Sequence, residues 1–240
     1  MIVMKNTELR KEFERRLYTD RQGNIMPFRL LMPQPYEKAG KYPLVLFLHG
    51  AGERGIDNSR QLGNGVLHFA EEENRARYPC FVVAPQCPVT SSWVGWGDIP
   101  TEPMRMALEI VEMLQKEYAV DERRIYVTGI SMGGFGAWDA LQRKPYLFAA
   151  AVPVCGGGDI TKARFLADMP VWAFHGSDDP VVSVQNSRDM IEALRRAGGS
   201  PRYTEYPGVG HASWEYAYAD PELFQWLFSQ EKSVAAVSGK

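Results

Sequence analysis

Gly129-Ile130-Ser131-Met132-Gly133-Gly134 forms a glycine-rich turn between a strand-like run at 124–128 and a helix-like run at 135–141. A serine between two glycines at a sharp strand-to-helix turn is the pattern that exposes a nucleophilic hydroxyl. Glycine suits positions 129 and 133 because the strand and the helix approach there too closely for a Cβ atom. Such short patterns also arise by chance, so the other strand ends have to support this one.

Length and charge narrow the classes of protein to which this chain can belong. Its 240 residues suit a single domain over 1–240, with a core over about 13–229 and a flexible tail over 233–240. Its 27 basic and 29 acidic residues form no basic stripe, which argues against a nucleic-acid partner. No apolar run approaches the roughly 18 residues of a membrane-spanning helix, so we expect no membrane partner.

The amino-terminal residues and the cysteines bear on the compartment. Residues 1–10 have too short an apolar core for a signal peptide, which favours the cytoplasm, although a processed or recloned secreted chain would look the same. Cys80, Cys87 and Cys155 are too few and too irregularly spaced for a zinc site. We interpret all three as small apolar core residues, with a Cys87–Cys155 disulfide as the alternative.

Apolar periodicity indicates the type of each element. The run at 42–48 is apolar throughout, as in a strand buried on both faces of a parallel sheet. Residues 101–118 repeat apolar side chains every 3.6 residues, and Thr101 is placed to cap that helix. Around Arg29, apolar and other side chains alternate, which indicates a half-exposed hairpin strand.

The order of these elements predicts the fold class. Strands are predicted over 13–19, 26–33, 42–48, 80–85, 124–128, 148–154, 170–174 and 201–206, and helices over 101–118, 135–141, 183–197 and 220–229. We therefore expect an α/β fold with about eight strands in a mostly parallel sheet, an amino-terminal antiparallel hairpin and helices on both faces.

The loops after the predicted strands carry the candidate chemistry, because the carboxyl ends of parallel strands meet at one edge of a sheet. Serine is a poor nucleophile unless a base, normally histidine, takes its proton. His49 and His175 each precede glycine directly after a buried strand, so we expect them to hydrogen-bond their own loops. His68 is predicted at the surface of a helical stretch. His211, after the last strand, is the candidate base for Ser131.

The base needs a carboxylate to orient it, and in strand–turn–helix scaffolds of this kind the acid falls between serine and histidine along the chain. Asp178 and Asp179 both qualify, and Asp159 after the preceding strand is a third choice. We favour Asp179, because Asp178 also fits a turn residue that binds its own backbone.

An acyl-transfer intermediate carries an oxyanion, so hydrogen-bond donors must face it. The backbone N–H of Met132 directly follows the candidate nucleophile, and that of Ala51 lies in the glycine-rich loop after the strand at 42–48. That loop could instead cradle a phosphate, but no P-loop lysine accompanies it. We expect neither a cofactor nor a metal ion.

Four motifs, in this order, resemble those of the α/β-hydrolase superfamily: His49-Gly-Ala-Gly52, Gly129-Ile-Ser-Met-Gly133, His175-Gly-Ser-Asp-Asp-Pro-Val-Val182 and Gly210-His211. The resemblance covers about 13–229, and its H-G-x-x-D-x-x-V motif implies that the acid is Asp179. The stretches 42–55 and 121–129 are similar to those of small bacterial esterases related to feruloyl esterases and polyhydroxybutyrate depolymerases, some of which are labelled predicted peptidases. The resemblance implies serine esterase activity without metal or cofactor. Members are often secreted, whereas this chain shows no signal peptide.

These observations predict a serine carboxylic-ester hydrolase in which Ser131 attacks the ester, His211 takes its proton and Asp179 orients His211. Short connections leave little room for a lid, which favours small or soluble ester substrates, including aromatic-acid and carbohydrate esters. The alternative is a peptidase or thioesterase with the same residues, and a non-catalytic binding protein is the remote alternative. The sequence indicates no oligomeric state.

Three tryptophans are candidates for lining a substrate pocket. Trp93 and Trp96 lie in the loop at 86–100, and Trp214 follows the candidate base. The alternative is that these side chains pack beneath loops, where their large apolar area would be buried.

Overall fold

The computed structural model describes residues 2–95 and 97–232, with side chains described from residue 6 onward. The predicted flexible tail over 233–240 therefore lies outside the described residues. Within them, eight strands form one sheet: β1 (Phe13–Thr19), β2 (Ile25–Leu31), β3 (Tyr42–Leu48), β4 (Phe81–Pro85), β5 (Val120–Ile130), β6 (Ala150–Val154), β7 (Trp172–Gly176) and β8 (Arg202–Tyr206).

The strand order across the sheet is β1-β2-β4-β3-β5-β6-β7-β8. β1 pairs antiparallel with β2 and β2 antiparallel with β4, whereas the remaining neighbours are parallel. The predicted fold class is confirmed, since the sheet has eight strands, is mostly parallel and starts in an antiparallel hairpin. The loops that follow the parallel strands consequently share one edge of the sheet.

The described residues contain seven α-helices: α1 (Ile2–Lys11), α2 (Glu72–Arg77), α3 (Glu102–Glu117), α4 (Met132–Arg143), α5 (Gln185–Arg196), α6 (Trp214–Ala217) and α7 (Pro221–Ser229). Thr101 caps α3 as predicted, because its Oγ1 accepts the Met104 N–H at 3.3 Å. Three helices lie outside the predicted ones: α1 lacks a sustained apolar stripe, and α2 and α6 are too short to show a period. Of the described helices, none has both the length and the apolar character to cross a bilayer.

The helices lie on both faces of the sheet, as β3 illustrates. Leu44, Leu46 and Leu48 pack in one apolar cluster with residues of α3, α4 and α5. Val45 and Phe47 point to the opposite face, where they pack with residues of α7 and of the 3-10 turns before α2. Alternate side chains of a continuous apolar strand thus fill two separate cores, which is why the run at 42–48 contains no polar residue.

β2 is buried, which corrects the expectation of a half-exposed hairpin strand. Its residues from Met26 to Leu31 are buried because β1 and β4 flank it, and β1 takes the exposed edge. Arg29 is only 7% exposed: its Nε donates to Asn58 O at 2.7 Å and its Nη1 to Phe13 O at 2.8 Å. Backbone carbonyls thus satisfy a guanidinium that the alternating pattern assigns to solvent.

The cysteines are core residues, as expected. Cys80, Cys87 and Cys155 are all buried and all free, so the alternative Cys87–Cys155 disulfide is not formed. Burial raises the pKa of each thiol to about 12, because a thiolate loses its hydration there.

Candidate active site

The turn between β5 and α4 holds Ser131 in a strained conformation. Its φ of +52° lies in a region that residues with a Cβ rarely adopt, and its N–H donates to Val154 O at 3.0 Å. A Cβ on Gly129 would lie 2.3 Å from Gly133 O, and one on Gly133 would lie 1.9 Å from Leu48 O. Both positions therefore require glycine, for the close approach that the sequence predicts.

Two further loops approach Ser131 from the same edge of the sheet. Asp179 follows the end of β7 and His211 follows the end of β8. These loops are tied together, because Asp178 N donates to Val209 O and Ser177 N donates to Tyr206 O, both at 3.0 Å. The parallel pairing of β7 with β8 thus fixes where His211 stands relative to the carboxylate.

A continuous hydrogen-bond chain runs through His211. Its Nε2 is 2.9 Å from Ser131 Oγ and its Nδ1 is 2.7 Å from Asp179 Oδ2. An ionised carboxylate only accepts hydrogen bonds, so Nδ1 carries the proton and Nε2 is free to accept the serine proton. This arrangement can activate a hydroxyl for nucleophilic attack.

The Asp179 side chain is fully buried and well supplied with donors. Its Oδ1 accepts the N–H groups of Val181 and Val182 at 2.8 and 2.9 Å. Burial alone would raise the pKa of this carboxyl group, but the hydrogen bonds from His211 and from the two backbone N–H groups hold the pKa below its usual range. Asp179 is consequently ionised at neutral pH.

The other two candidate acids have different partners. Asp178 is exposed and accepts a hydrogen bond from Ser177 Oγ at 2.5 Å. Asp159 caps the 3-10 helix at 160–166, where it accepts the Thr161 N–H at 2.9 Å. Of the three aspartates weighed from the sequence, the structure brings Asp179 to His211.

The loop after β3 is held by His49 and Arg54. Cys87 N donates to His49 Nε2 at 3.0 Å, so Nδ1 carries the proton and donates to Gly50 O at 2.6 Å. His49 therefore hydrogen-bonds its own loop, as expected, and burial lowers its pKa to about 4. Arg54 was missed from the sequence: its Nε donates to Ala51 O at 3.0 Å, and its Nη1 reaches two carbonyls of the next loop.

The two predicted oxyanion donors begin helical segments. Ala51 opens a 3-10 turn at 51–53, and Met132 is the first residue of α4. The N–H groups at the start of a helix have no intrahelical acceptor, so both remain available to an anion.

The glycines at positions 50, 52 and 55 have the G-x-G-x-x-G spacing of a dinucleotide-binding loop, so the expectation that this motif is absent is wrong. In that motif the glycines open a helix whose amino terminus binds the pyrophosphate. Here the stretch forms only the three-residue 3-10 turn at 51–53, and the chain continues through non-helical residues. The loop therefore lacks the helix on which the dinucleotide-binding interpretation depends.

The tryptophans divide into three cases. Trp93 is fully buried and its Nε1 donates to His49 O at 2.9 Å, so it packs beneath the loop, which corrects its assignment to a pocket. Trp214 is half-buried, and its ring meets His211 edge-on with centroids 5.2 Å apart. Trp96 lies outside the described residues.

One group of side chains near Ser131 has the residue types of a metal site. Ligand atoms of Cys155, Asp179 and His211 lie within 4.8 Å of one another. However, the Asp179 oxygen already accepts the hydrogen bond that His211 Nδ1 donates, so neither atom has a free lone pair directed at a metal. Cys155 is also unsuited, because its raised thiol pKa disfavours the thiolate that a metal would need. These residues fit a metal ion poorly, and the expectation of a metal-free site stays a prediction.

An eight-stranded, mostly parallel sheet with Ser131 on a strained strand-to-helix turn and a hydrogen-bonded histidine beside it defines an α/β-hydrolase. Residues 99–225 match the model of the Dienelactone hydrolase family. This match covers more than half of the chain, and the chain belongs to that family.

Two curated relatives and one solved structure are esterases by name. The chain is 28% identical over 190 residues to the bifunctional acetylxylan esterase/xylanase XynS20E of Neocallimastix patriciarum, covering 75% of this chain and 27% of that protein. It is 26% identical over 196 residues to a probable feruloyl esterase C of Aspergillus niger, covering 81% of this chain and 70% of that protein. A thermostable esterase has a TM-score of 0.90 and 42% identity, covering 94% of this chain and 64% of that one. The chain thus spans about a quarter of the bifunctional enzyme and less than two thirds of the solved esterase.

Proposed function

We propose that this chain is a serine carboxylic-ester hydrolase with Ser131, His211 and Asp179 as its catalytic residues. The observation that carries the proposal is the position of His211, whose two ring nitrogens lie 2.9 Å from a serine hydroxyl and 2.7 Å from a buried carboxylate. The esterase relatives agree with this chemistry.

The reaction proceeds through an acyl-enzyme. Ser131 Oγ attacks the ester carbonyl carbon while His211 Nε2 takes the hydroxyl proton, and Asp179 stabilises the imidazolium that forms. The N–H groups of Ala51 and Met132 bind the oxyanion. Collapse of the intermediate expels the alcohol, which receives the proton from His211. Water then attacks the acyl-enzyme while His211 takes its proton, and collapse releases the carboxylic acid and returns the proton to Ser131 Oγ.

Replacing the nucleophile tests this proposal. Ser131→Ala is expected to lower kcat for p-nitrophenyl acetate by at least about a thousandfold, since the acyl-enzyme cannot form. Ser229→Ala is the matched control, because the Ser229 hydroxyl donates to Trp226 O at the end of α7 and contacts none of the loops that carry Ser131, Asp179 and His211. A fluorophosphonate probe should label wild-type protein at Ser131 and leave Ser131→Ala unlabelled. Near-wild-type hydrolysis by Ser131→Ala would contradict the mechanism.

Small or soluble esters are the substrates that we propose. The longest connection near the site, residues 49–80, buries Leu62, Val66 and Phe69 in the core beneath the sheet instead of extending them over Ser131. Trp214 meets the ring of His211 edge-on, and an aromatic side chain next to the proposed base would suit a flat acyl group. The feruloyl and acetylxylan esterases among the relatives point to aromatic-acid and carbohydrate esters.

A substrate panel tests the size and chemistry of the ester. Wild-type protein is assayed with p-nitrophenyl acetate, butyrate and palmitate, methyl ferulate, a matched thioester and a peptide p-nitroanilide. We expect kcat/KM to fall from acetate to palmitate and the anilide to react slowest. A preference for palmitate would contradict the size argument, and faster cleavage of the thioester or the anilide would favour a thioesterase or a peptidase.

A further inference from the structure

A second histidine reaches the carboxylate of Asp179 from within the core. His175, the fourth residue of β7, is fully buried, and its Nε2 lies 3.3 Å from Asp179 Oδ2 and 3.0 Å from Val182 O. Oδ2 therefore faces two imidazoles, because His211 Nδ1 is 2.7 Å away on the other side. The sequence predicts only that His175 binds its own loop, which the Val182 contact satisfies.

Hydrogen-bond accounting fixes the proton on His175. A carboxylate oxygen and a carbonyl oxygen have no hydrogen to give, so Nε2 carries the proton: it donates to Val182 O at 3.0 Å, and the same N–H has Asp179 Oδ2 as a second, longer contact at 3.3 Å. On the other side of the ring, Nδ1 lies 2.7 Å from Ser187 Oγ, which is also 2.9 Å from Gly156 O. Burial lowers the pKa of His175, which favours the neutral ring, so the single Ser187 hydrogen faces two acceptors, Nδ1 and Gly156 O. The Val182 carbonyl, which can only accept, thus selects the tautomer with its proton on Nε2.

The contacts of Asp179 show what this proton does. Two backbone N–H groups, from Val181 and Val182, hold Oδ1, and His211 and His175 hold Oδ2. A carboxylate offers about four lone-pair directions, and these four donors occupy them. The terminal torsion of an aspartate side chain is soft, so its orientation depends on such donors. Without His175, one side of Oδ2 would face a cavity where the imidazole now lies.

We propose that His175 is a positioning residue of the esterase reaction: its Nε2–H, which the Val182 carbonyl requires, also faces Asp179 Oδ2 and helps to fix the orientation of that carboxylate. This inference rests on the proposed function of Asp179 and His211. His175 touches no reacting atom, so its effect reaches Ser131 only through Asp179 and His211. A carboxylate that rotates away weakens its hold on the His211 ring and slows the steps in which that ring moves protons.

The test compares two substitutions of His175 that differ in one donor. His175→Leu removes the N–H but keeps an apolar side chain of similar bulk, and His175→Gln can return an amide N–H near the position of Nε2. For p-nitrophenyl acetate we expect His175→Leu to lower kcat by about ten- to a hundredfold with KM unchanged within about twofold. His175→Gln should recover most of that loss. Equal kcat values for the two variants, or a change confined to KM, would overturn the proposal.

A third variant keeps the proposal testable if His175→Leu does not fold. His175→Met has a flexible apolar side chain of similar bulk and no N–H donor, so we expect it to lower kcat by about ten- to a hundredfold at unchanged KM. A kcat of folded His175→Met equal to that of His175→Gln would overturn the proposal.

Two controls separate this inference from general destabilisation and from the proposed function. Tyr218→Phe removes a buried hydrogen bond to Thr128, 2.6 Å between the oxygens, and should lower the melting temperature without lowering kcat. The rate of fluorophosphonate labelling of Ser131 is measured for every variant. Failure to label wild-type protein would refute the proposed function itself, whereas equal labelling rates for wild type and His175→Leu would refute only the role of His175.

Discussion

Asp178 and Asp179 are neighbouring carboxylates in opposite environments. Asp179 is buried and receives donors at both oxygens, whereas Asp178 is exposed and binds the hydroxyl of Ser177. One position along the chain thus separates a turn residue from a candidate catalytic residue. The reason is the turn after β7, which directs the second aspartate toward the loop that carries His211.

Replacing each aspartate by asparagine measures that difference. Asp179→Asn should lower kcat by up to roughly ten-thousandfold, because the amide cannot stabilise the imidazolium and can favour the wrong tautomer of His211. Asp178→Asn is the matched control and should keep kcat within about twofold. Steady-state kinetics with p-nitrophenyl acetate checks both variants, and similar losses in the two would show that Asp179 has no special role.

His49 makes stability depend on pH through its burial. Its pKa is about 4 in the folded protein and about 6.5 in the unfolded chain. Between these values the unfolded state binds a proton that the folded state does not, so stability is complete above pH about 6.5 and falls as the pH is lowered. The slope contributed by one such group is at most about 1.4 kcal/mol per pH unit.

Urea unfolding of wild type and His49→Gln between pH 7 and pH 4.5 checks this contribution. Since glutamine does not titrate, the free energy of unfolding of His49→Gln should fall less steeply over that range. His175, whose pKa burial also lowers, titrates in both proteins and cancels in the comparison. Parallel curves would show that His49 does not couple folding to protons.

At the scale of elements, the packing of α4 against the sheet positions the nucleophile. α4 starts one residue after Ser131, and Gly133 brings its first turn against the carbonyl of Leu48 at the end of β3. The same contact joins the turn that carries Ser131 to the loop that carries Ala51. Any side chain at position 133 would therefore separate the two candidate oxyanion donors as well as the two elements.

Gly133→Ala tests this packing. A Cβ 1.9 Å from a backbone carbonyl cannot be accommodated by side-chain movement, so we expect a loss of more than about 3 kcal/mol of stability or a failure to fold. Gly52→Ala is the matched control, because a Cβ there meets nothing within 4 Å, and its stability should stay within about 1 kcal/mol of wild type. The free energy of unfolding in urea gives the comparison, and equal values would contradict the steric argument.

The elements also show how far the sequence predicts this molecule. Apolar runs such as Tyr42–Leu48 and the period of α3 locate strands and helices, because burial dictates their composition. The burial of Arg29 could not be predicted, since it depends on carbonyl groups supplied by distant parts of the chain. The burial of Trp93 beneath its loop is the alternative that the sequence left open, and the His49 carbonyl that binds it decides between the two. The same holds for the candidate site: motifs indicate Ser131 and His211, but the contact of His175 with Asp179 appears only when β7 and its loop are folded.

At the scale of the whole molecule, the candidate catalytic residues lie toward one edge of the sheet, and the amino-terminal hairpin forms the other edge. Ser131, Asp179 and His211 follow β5, β7 and β8, while the hairpin of β1 and β2 lies at the opposite edge. The hairpin is joined to α3 through Asp20, whose carboxylate accepts hydrogen bonds from Arg105, from Asn24 and from the Gln22 N–H. Changes at Asp20 should therefore affect stability without affecting catalysis.

Asp20→Asn tests this separation through pH. Burial would raise the pKa of Asp20, but the hydrogen bonds from Arg105 and Asn24 outweigh it and hold the pKa far below its unfolded value of about 3.8. A carboxyl with a depressed pKa stabilises the folded state above the unfolded pKa, and that contribution declines as the pH falls below about 4. Asp20→Asn should lower the free energy of unfolding at pH 7 and lower it less at pH 3, with kcat at pH 7 within about twofold of wild type. An equal loss of unfolding free energy at both pH values would mean that packing, and not charge, joins the hairpin to α3. A large loss of kcat would mean that the two halves of the sheet are not independent.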